Sequence, residues 1–194
     1  PNGARPELRG FDMSEEDVIT IAAQHITQGD FIGAMDIFES HISANPKDPA
    51  GFHGWAEAAM FEIQENGNMD DSGKDRINEG KVQSYLRKAA GLDPENADYL
   101  AAYANALIEF DRVPVAVREF QKLKVLGDSQ DDVDVSFHLY EAARMLMESI
   151  DLKTNFDRSH PFAKQFVAVA IEFALLGLGF PSAEEAVEYL STEE

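Results

Sequence analysis

The chain of 194 residues has no cysteine, which removes disulfides, thiolate nucleophiles and Cys-based zinc sites together. That absence chooses no compartment. Basic residues are scarce: Lys and Arg total 16 against 36 Asp and Glu, a formal charge of −20. Such a surface repels phosphate backbones and anionic lipid, which speaks against nucleic-acid or membrane-surface partners. It suits partners with basic segments, or it serves solubility alone. A membrane-spanning run is missing too. The most apolar window, Phe166 to Phe180, has 15 residues with Glu172 inside it, short of the ~20 needed to cross a bilayer. A buried helix is expected there. No signal peptide opens the chain, and its first residue is Pro1 rather than Met, as in a processed fragment, which leaves a removed targeting segment open. The expectation is a soluble chain, cytoplasmic or periplasmic. Hydrophobic residues make up 44%, enough for a real core.

The stretch Glu15 to Asp48 carries two amphipathic segments joined by Gln28-Gly29-Asp30-Phe31 and closed by Asn45-Pro46. Val18, Ile21, Ala22 and His25 make one helical face; Ala34, Ile37, Phe38, His41 and Ile42 make the next. Gly29, Phe31, Ala34, Phe38 and Pro46 fall at places 15, 17, 20, 24 and 32 of a 34-residue period. A second copy runs from Pro49 to Asn96, with Phe52, Trp55, Ala56 and Ala59 on its first helix and Val82, Leu86, Ala89 and Ala90 on its second. At 48 residues it is 14 too long, and the excess lies in the polar loop 64–78. A third copy, Ala97 to Gln130, places Leu100, Tyr103, Ala104 and Leu107, then Ala116, Phe120 and Leu123; Asp111-Arg112 replaces the Gly-Asp of the first copy.

Residues 1–14 form an irregular lead-in, with Ser14 as a helix N-cap. After Gln130 the motif no longer aligns. A helix is expected over Asp131–Ile150 with Phe137, Tyr140, Met145, Leu146 and Ile150 in the core, then a loop over Asp151–His160 and a helix over Pro161–Leu176. Ser182 caps a short helix bearing Ala186, Val187 and Leu190. Residues 131–194 thus read as a degenerate helical pair with a C-terminal cap, since end repeats need altered faces.

Residues 15–130 resemble the tetratricopeptide repeat (TPR) family in motif positions and repeat length. The resemblance implies an all-α fold: a right-handed superhelical solenoid of antiparallel helix pairs, with a variant C-terminal pair and a capping helix. It also implies a scaffold or adaptor that binds a peptide or protein segment, without catalysis and without a cofactor. Its groove would be lined by Ile19, Ala23 and Ile26, then His53, Glu57, Met60 and Phe61, then Asp98, Ala101, Asn105 and Ile108. That is an apolar floor with acidic margins, fitted to a partner with apolar anchors and a Lys or Arg. The carboxylate clamp of chaperone-binding TPR proteins (Lys, Asn, Asn, Lys, Arg) is absent, its places holding Ile19, Ala23, Gly54, Asp98 and Ala102. Residues 49–126 are also similar to TPR subunits of cytochrome c maturation complexes, which makes an assembly or secretion chaperone an alternative.

Other patterns carry less. Asn68, Asp70, Ser72 and Glu79 match EF-hand oxygen spacing around Gly73, the basis of a calcium-responsive alternative. Asp75 and Arg76 occupy loop places that argue for a plain solvated loop instead. Gly177-Leu178-Gly179 follows a helix rather than a strand, so it is read as a bend and not a phosphate loop; its likeness to a ubiquitin-associated domain stops for want of a third helix. The five histidines show no metal-ligand spacing, and no nucleophile elbow or P-loop occurs.

Overall fold

Proline, glycine, asparagine and aspartate cut the periodic apolar stretches into helices, and a computed structural model places them. It describes residues 15–70, 72–129, 133–180, 182 and 184–185. The lead-in, Ser14, Gln130 to Asp132, and Ala186, Val187 and Leu190 lie outside the described residues. Among those described, the fold is all-α: α1 (Glu15–Thr27), α2 (Phe31–Ala44), α3 (Pro49–Asn66), α4 (Glu79–Leu92), α5 (Ala97–Glu109), α6 (Val113–Ser129), α7 (Val133–Thr154) and α8 (Pro161–Gly177). No helix among them is long and apolar enough to cross a membrane. The chain divides into two compact units, Pro1–Asn78 and Glu79–Glu194.

In the first unit, α2 packs between α1 and α3. Gly29, at φ 74°, turns the chain after α1, a conformation that favours glycine. Asp30 then caps α2, its Oδ1 accepting the Gly33 N–H at 2.9 Å while His25 Nδ1 lies 2.7 Å from Oδ2. The device recurs one helix later. Asp48 caps α3 by accepting the Ala50 N–H at 3.0 Å, and His41 Nε2 sits 2.5 Å from its other oxygen. Thus His25 and His41 each hold the carboxylate that starts the next helix. Each cap satisfies a donor that the helix cannot satisfy itself, worth about 1 kcal/mol. Val18, Ala22, Ala34, Phe38, Phe52, Trp55, Ala56 and Ala59 are all buried, as their spacing predicts. A side chain at Gly54 would put its Cβ 2.3–2.7 Å from the Phe38 ring, so only glycine lets α3 lie this near. Phe31 and Phe61 stack at 5.8 Å.

The expected loop begins later than predicted, because α3 continues to Asn66. The loop itself is tied down. Glu62, 3% exposed, accepts from Asn66 Nδ2 at 2.8 Å and is ion-paired with Arg76, so a loop cation neutralises a buried carboxylate. The Asn68 carboxamide bonds both backbone groups of Ile77, at 2.8 and 3.1 Å, and Met69 and Asp75 form an isolated antiparallel bridge.

In the second unit, α4 packs on α5, α5 on α6, and α7 on α5, α6 and α8. One apolar cluster fills it, with Leu100, Leu107, Phe120, Leu123, Leu146, Ile150, Phe166 and Phe173 among its buried members. Burying each such side chain stabilises by roughly 1.5–3 kcal/mol. Phe120 of α6 meets Phe173 of α8 edge-on at 5.8 Å, and Lys124 Nζ donates to Glu172 at 2.6 Å beside them. Two expectations are corrected here. Phe137 and Tyr140 are 60% and 45% exposed rather than core, because α7 turns Val135, Leu139, Ala142 and Leu146 inward instead. The segment 151–154, expected as loop, completes α7; its end is set by Asn155 and Phe156 at φ 49° and 62°. His160 then caps α8, its Nδ1 accepting the Phe162 N–H at 3.2 Å, with Pro161 at the first helical place.

Candidate binding face

The residues expected to line a groove fall on α1, α3 and α5. In the first unit, Ile19, Ala23 and Glu57 are exposed, and Ile26, His53, Met60 and Phe61 are half-buried. Ile19 and Ala23 border a shallow depression whose other residues, Thr20, Gln24, Thr27 and Gln28, come from α1 and the turn that ends it. A single helix supplies no opposing wall. Phe61 spends one ring face on Phe31.

In the second unit, Asp98, Asn105 and Ile108 belong to α5, against which α7 packs. Ala101 is buried to 1% exposure and Ile108 to 8% within the apolar cluster, so Ala101 is core and not a groove-lining side chain. At the start of α5, Asp98 accepts from His138 Nε2 of α7 at 2.8 Å. Near the middle, Asn105 Oδ1 is shielded from solvent and has no hydrogen-bond partner. At the far end of α5 a depression of about 580 Å³ opens, lined by Ile108, Glu109 and Asp111 on one side and by Arg144, Met145, Glu148, Ser149, Leu152 and Lys153 on the other.

Backbone geometry and charge shape this depression. Asp111 takes φ 62° at the turn after α5, the place glycine holds in the first copy, and Arg112 N–H closes the turn on Leu107 C=O at 2.7 Å. Lys153 reaches across from α7 and is ion-paired with Asp111. Arg144 pairs with Glu141 at 2.9 Å and Glu148 at 3.5 Å. The Glu141 hydrogen bond raises its pKa above the ordinary guanidinium value, so it stays cationic throughout. Leu152, 76% exposed, gives the rim an apolar contact. The α7 half of this face was missed in the sequence because the repeat motif ends at Gln130. Its signal was the spacing Arg144, Met145, Glu148, Ser149, Leu152, which returns to one helical side every three to four residues.

The loop residues Asn68, Asp70 and Ser72 are occupied locally. Asp70 Oδ1 accepts from Ser72 N, Ser72 Oγ and Lys74 N at 2.8, 2.6 and 3.0 Å, which holds its carboxyl below the usual range. Asn68 is spent on Ile77, and Glu79 is the first residue of α4. Among the described residues no group of three or more His, Cys, Asp or Glu side chains converges as metal ligands would.

No protein-family model matches the chain, and no curated protein matches it. Solved structures do. Two crystal structures of MamA superpose at TM-score 0.46, one 20% identical over 90% of this chain and 86% of that one, the other 16% identical over 82% and 93%. A candidate protein-binding protein from Bacteroides ovatus superposes at 0.38, 18% identical over 92% of this chain and 96% of its own.

Proposed function

We propose that the chain is a TPR-like interaction module that binds a peptide or protein segment, with no catalytic step of its own. The observation behind this reading is the depression between α5 and α7. Ile108 and Met145 offer an apolar floor, Leu152 an apolar rim, and Glu109 and Glu148 stand at its edge. A short apolar anchor buried there, flanked by Lys or Arg, would gain area and meet a field set by the net charge of −20. In the first unit, the groove residues of α1 and α3 offer a surface of similar chemistry, with Glu57 as its acidic member.

Synthetic 12-residue peptides test this, each with a central Leu or Phe flanked by Lys or, as control, by Glu. Titration should show the Lys peptides binding and weakening as salt rises. Met145→Asp should weaken them at least tenfold and Asn105→Ala less, while Glu57→Lys tests the surface of the first unit by itself. Equal binding of Lys and Glu peptides, or indifference to Met145→Asp, would remove the site from this face.

A further inference from the structure

The depression between α5 and α7 already holds a cation of its own. Asp98 at the start of α5 bonds His138 near the start of α7, and Asp111 just past the end of α5 pairs with Lys153 near the end of α7. The two helices therefore run the same way, and both C-terminal ends lie at the depression. Each brings the negative pole of a helix dipole, which favours a positive group there. Asp111 carries its carboxylate into this field from a backbone at φ 62°, where the first copy uses Gly29. A charged side chain in a conformation that glycine adopts freely points to a use for the side chain. Its bond to Lys153 is exchangeable. The Asp111 side chain is 68% exposed, and ion pairs open to water hold weakly. Lys153 Nζ also lies 5.1 Å from the centroid of the Phe162 ring, so the ammonium keeps a contact when it leaves the carboxylate. Arg144, which also lines the depression, is engaged by Glu141 and Glu148.

We propose that Asp111 is the recognition carboxylate for the Lys or Arg of a bound segment, and that Lys153 is a built-in competitor that occupies it in the free protein. This rests on the binding function proposed for the depression. A cation arriving beside an apolar anchor displaces Lys153, which stays on the Phe162 ring, and Asp111 changes partner without losing one. The exchange conserves an ion pair, so the incoming cation adds selectivity and little affinity. A segment without a cation leaves Lys153 in place.

The test titrates the Leu-centred, Lys-flanked peptide into the full chain and into Lys153→Met, Asp111→Asn and the double variant. Arg118→Met, which removes an exposed cation of α6 outside the depression, is the control for net charge. The salt is ~0.15 M, where exposed charges more than about 8 Å apart are largely screened. Lys153→Met should bind the peptide about three- to fivefold tighter than the parent, and the gain should vanish in the double variant. Asp111→Asn alone should bind it more weakly than the parent. A Lys153→Met protein that binds no tighter would overturn the proposal, as would an equal gain in Arg118→Met or a gain that persists without the Asp111 carboxylate. Met145→Asp separates the two readings. Loss of binding with Met145→Asp and no gain with Lys153→Met keeps the site and removes the competitor, whereas indifference to both removes both.

Discussion

Replacing Gly177 by alanine should destabilise the protein, although alanine is the better helix former. The added methyl would stand 2.6 Å from Tyr140 N, 2.7 Å from Tyr140 Cβ and 2.8 Å from Ser136 O, against ordinary contacts of 3.4–4 Å. Two of these three atoms are backbone and cannot rotate aside, so α8 must withdraw by about 1 Å from its contact with α7. Overpacking of this kind costs about 1–3 kcal/mol. Helix propensity returns at most about 1 kcal/mol, and less at a terminal residue. The net loss is about 1–2 kcal/mol, or a fall in Tm of roughly 2–8 °C for a chain of this size. Gly91→Ala is the matched control. It lies near the end of α4 with nothing within 4 Å of its Cβ position, so the same change should stabilise by a few tenths of a kcal/mol, up to ~1. Urea unfolding followed by far-UV circular dichroism measures both, with an unchanged m-value confirming a stability effect. A Gly177→Ala protein as stable as the parent would refute the close approach of α7 and α8.

Arg76→Ala should cost about 1–3 kcal/mol by leaving the buried Glu62 carboxylate with Asn66 alone, and Glu62→Leu in the same chain should recover most of it; urea midpoints decide. Phe156→Asn should stabilise by about 0.5–1 kcal/mol, since asparagine tolerates φ 62° and Phe156 is 68% exposed; a fall in Tm would count against strain at this turn. Acid should weaken the fold. The carboxyls of Asp30, Asp70 and Asp157 lie below their ordinary value, through hydrogen bonds chiefly from His25, Ser72 and Ser159 respectively. Their contribution is present above the unfolded value, about pH 4, and is lost as pH falls through the lower folded values. Asp30→Asn, which can still cap, should flatten the loss of urea stability between about pH 5 and 3, and an unchanged acid limb would exclude a role for that carboxylate.

Helix order through α6 was legible because small and large apolar residues recur at fixed spacing, with glycine or proline at the turns. Val82, Leu86, Ala89, Phe120 and Leu123 are buried where the pattern puts them. Beyond Gln130 the pattern gives out for a physical reason. Helix α8 is apolar almost all round, so periodicity cannot say which side is inward, and Ile171 stays 50% exposed while Ala170 and Phe173 are buried. Phe137 and Tyr140 are aromatic like core residues, and the packing of α7 on α5, α6 and α8, which turns Val135, Leu139, Ala142 and Leu146 inward, decides their exposure. Of the candidate face, matching repeats reached Ile108 on the α5 side and not Glu109 or Asp111. It could not reach the α7 half, since ion pairs such as Lys153 with Asp111 join residues 42 positions apart. Caps held by histidines were also unreadable, because an imidazole at a packing position looks the same whether or not it grips a carboxylate.

The stitched loop after α3 has a practical consequence for engineering. Its two ends are joined by the Asn68 carboxamide and by Arg76 N–H on Asn68 C=O at 2.6 Å, while Ser72, Gly73 and Lys74 at its tip are exposed. Chain added between Ser72 and Gly73 would be closed off by that stitch before it could pull on α3, and each doubling of loop length costs only about 0.6 kcal/mol. An epitope or fluorophore-binding tag can therefore be grafted at this point, giving the protein a handle far in sequence from either end of the chain and from every residue that lines the α5–α7 depression.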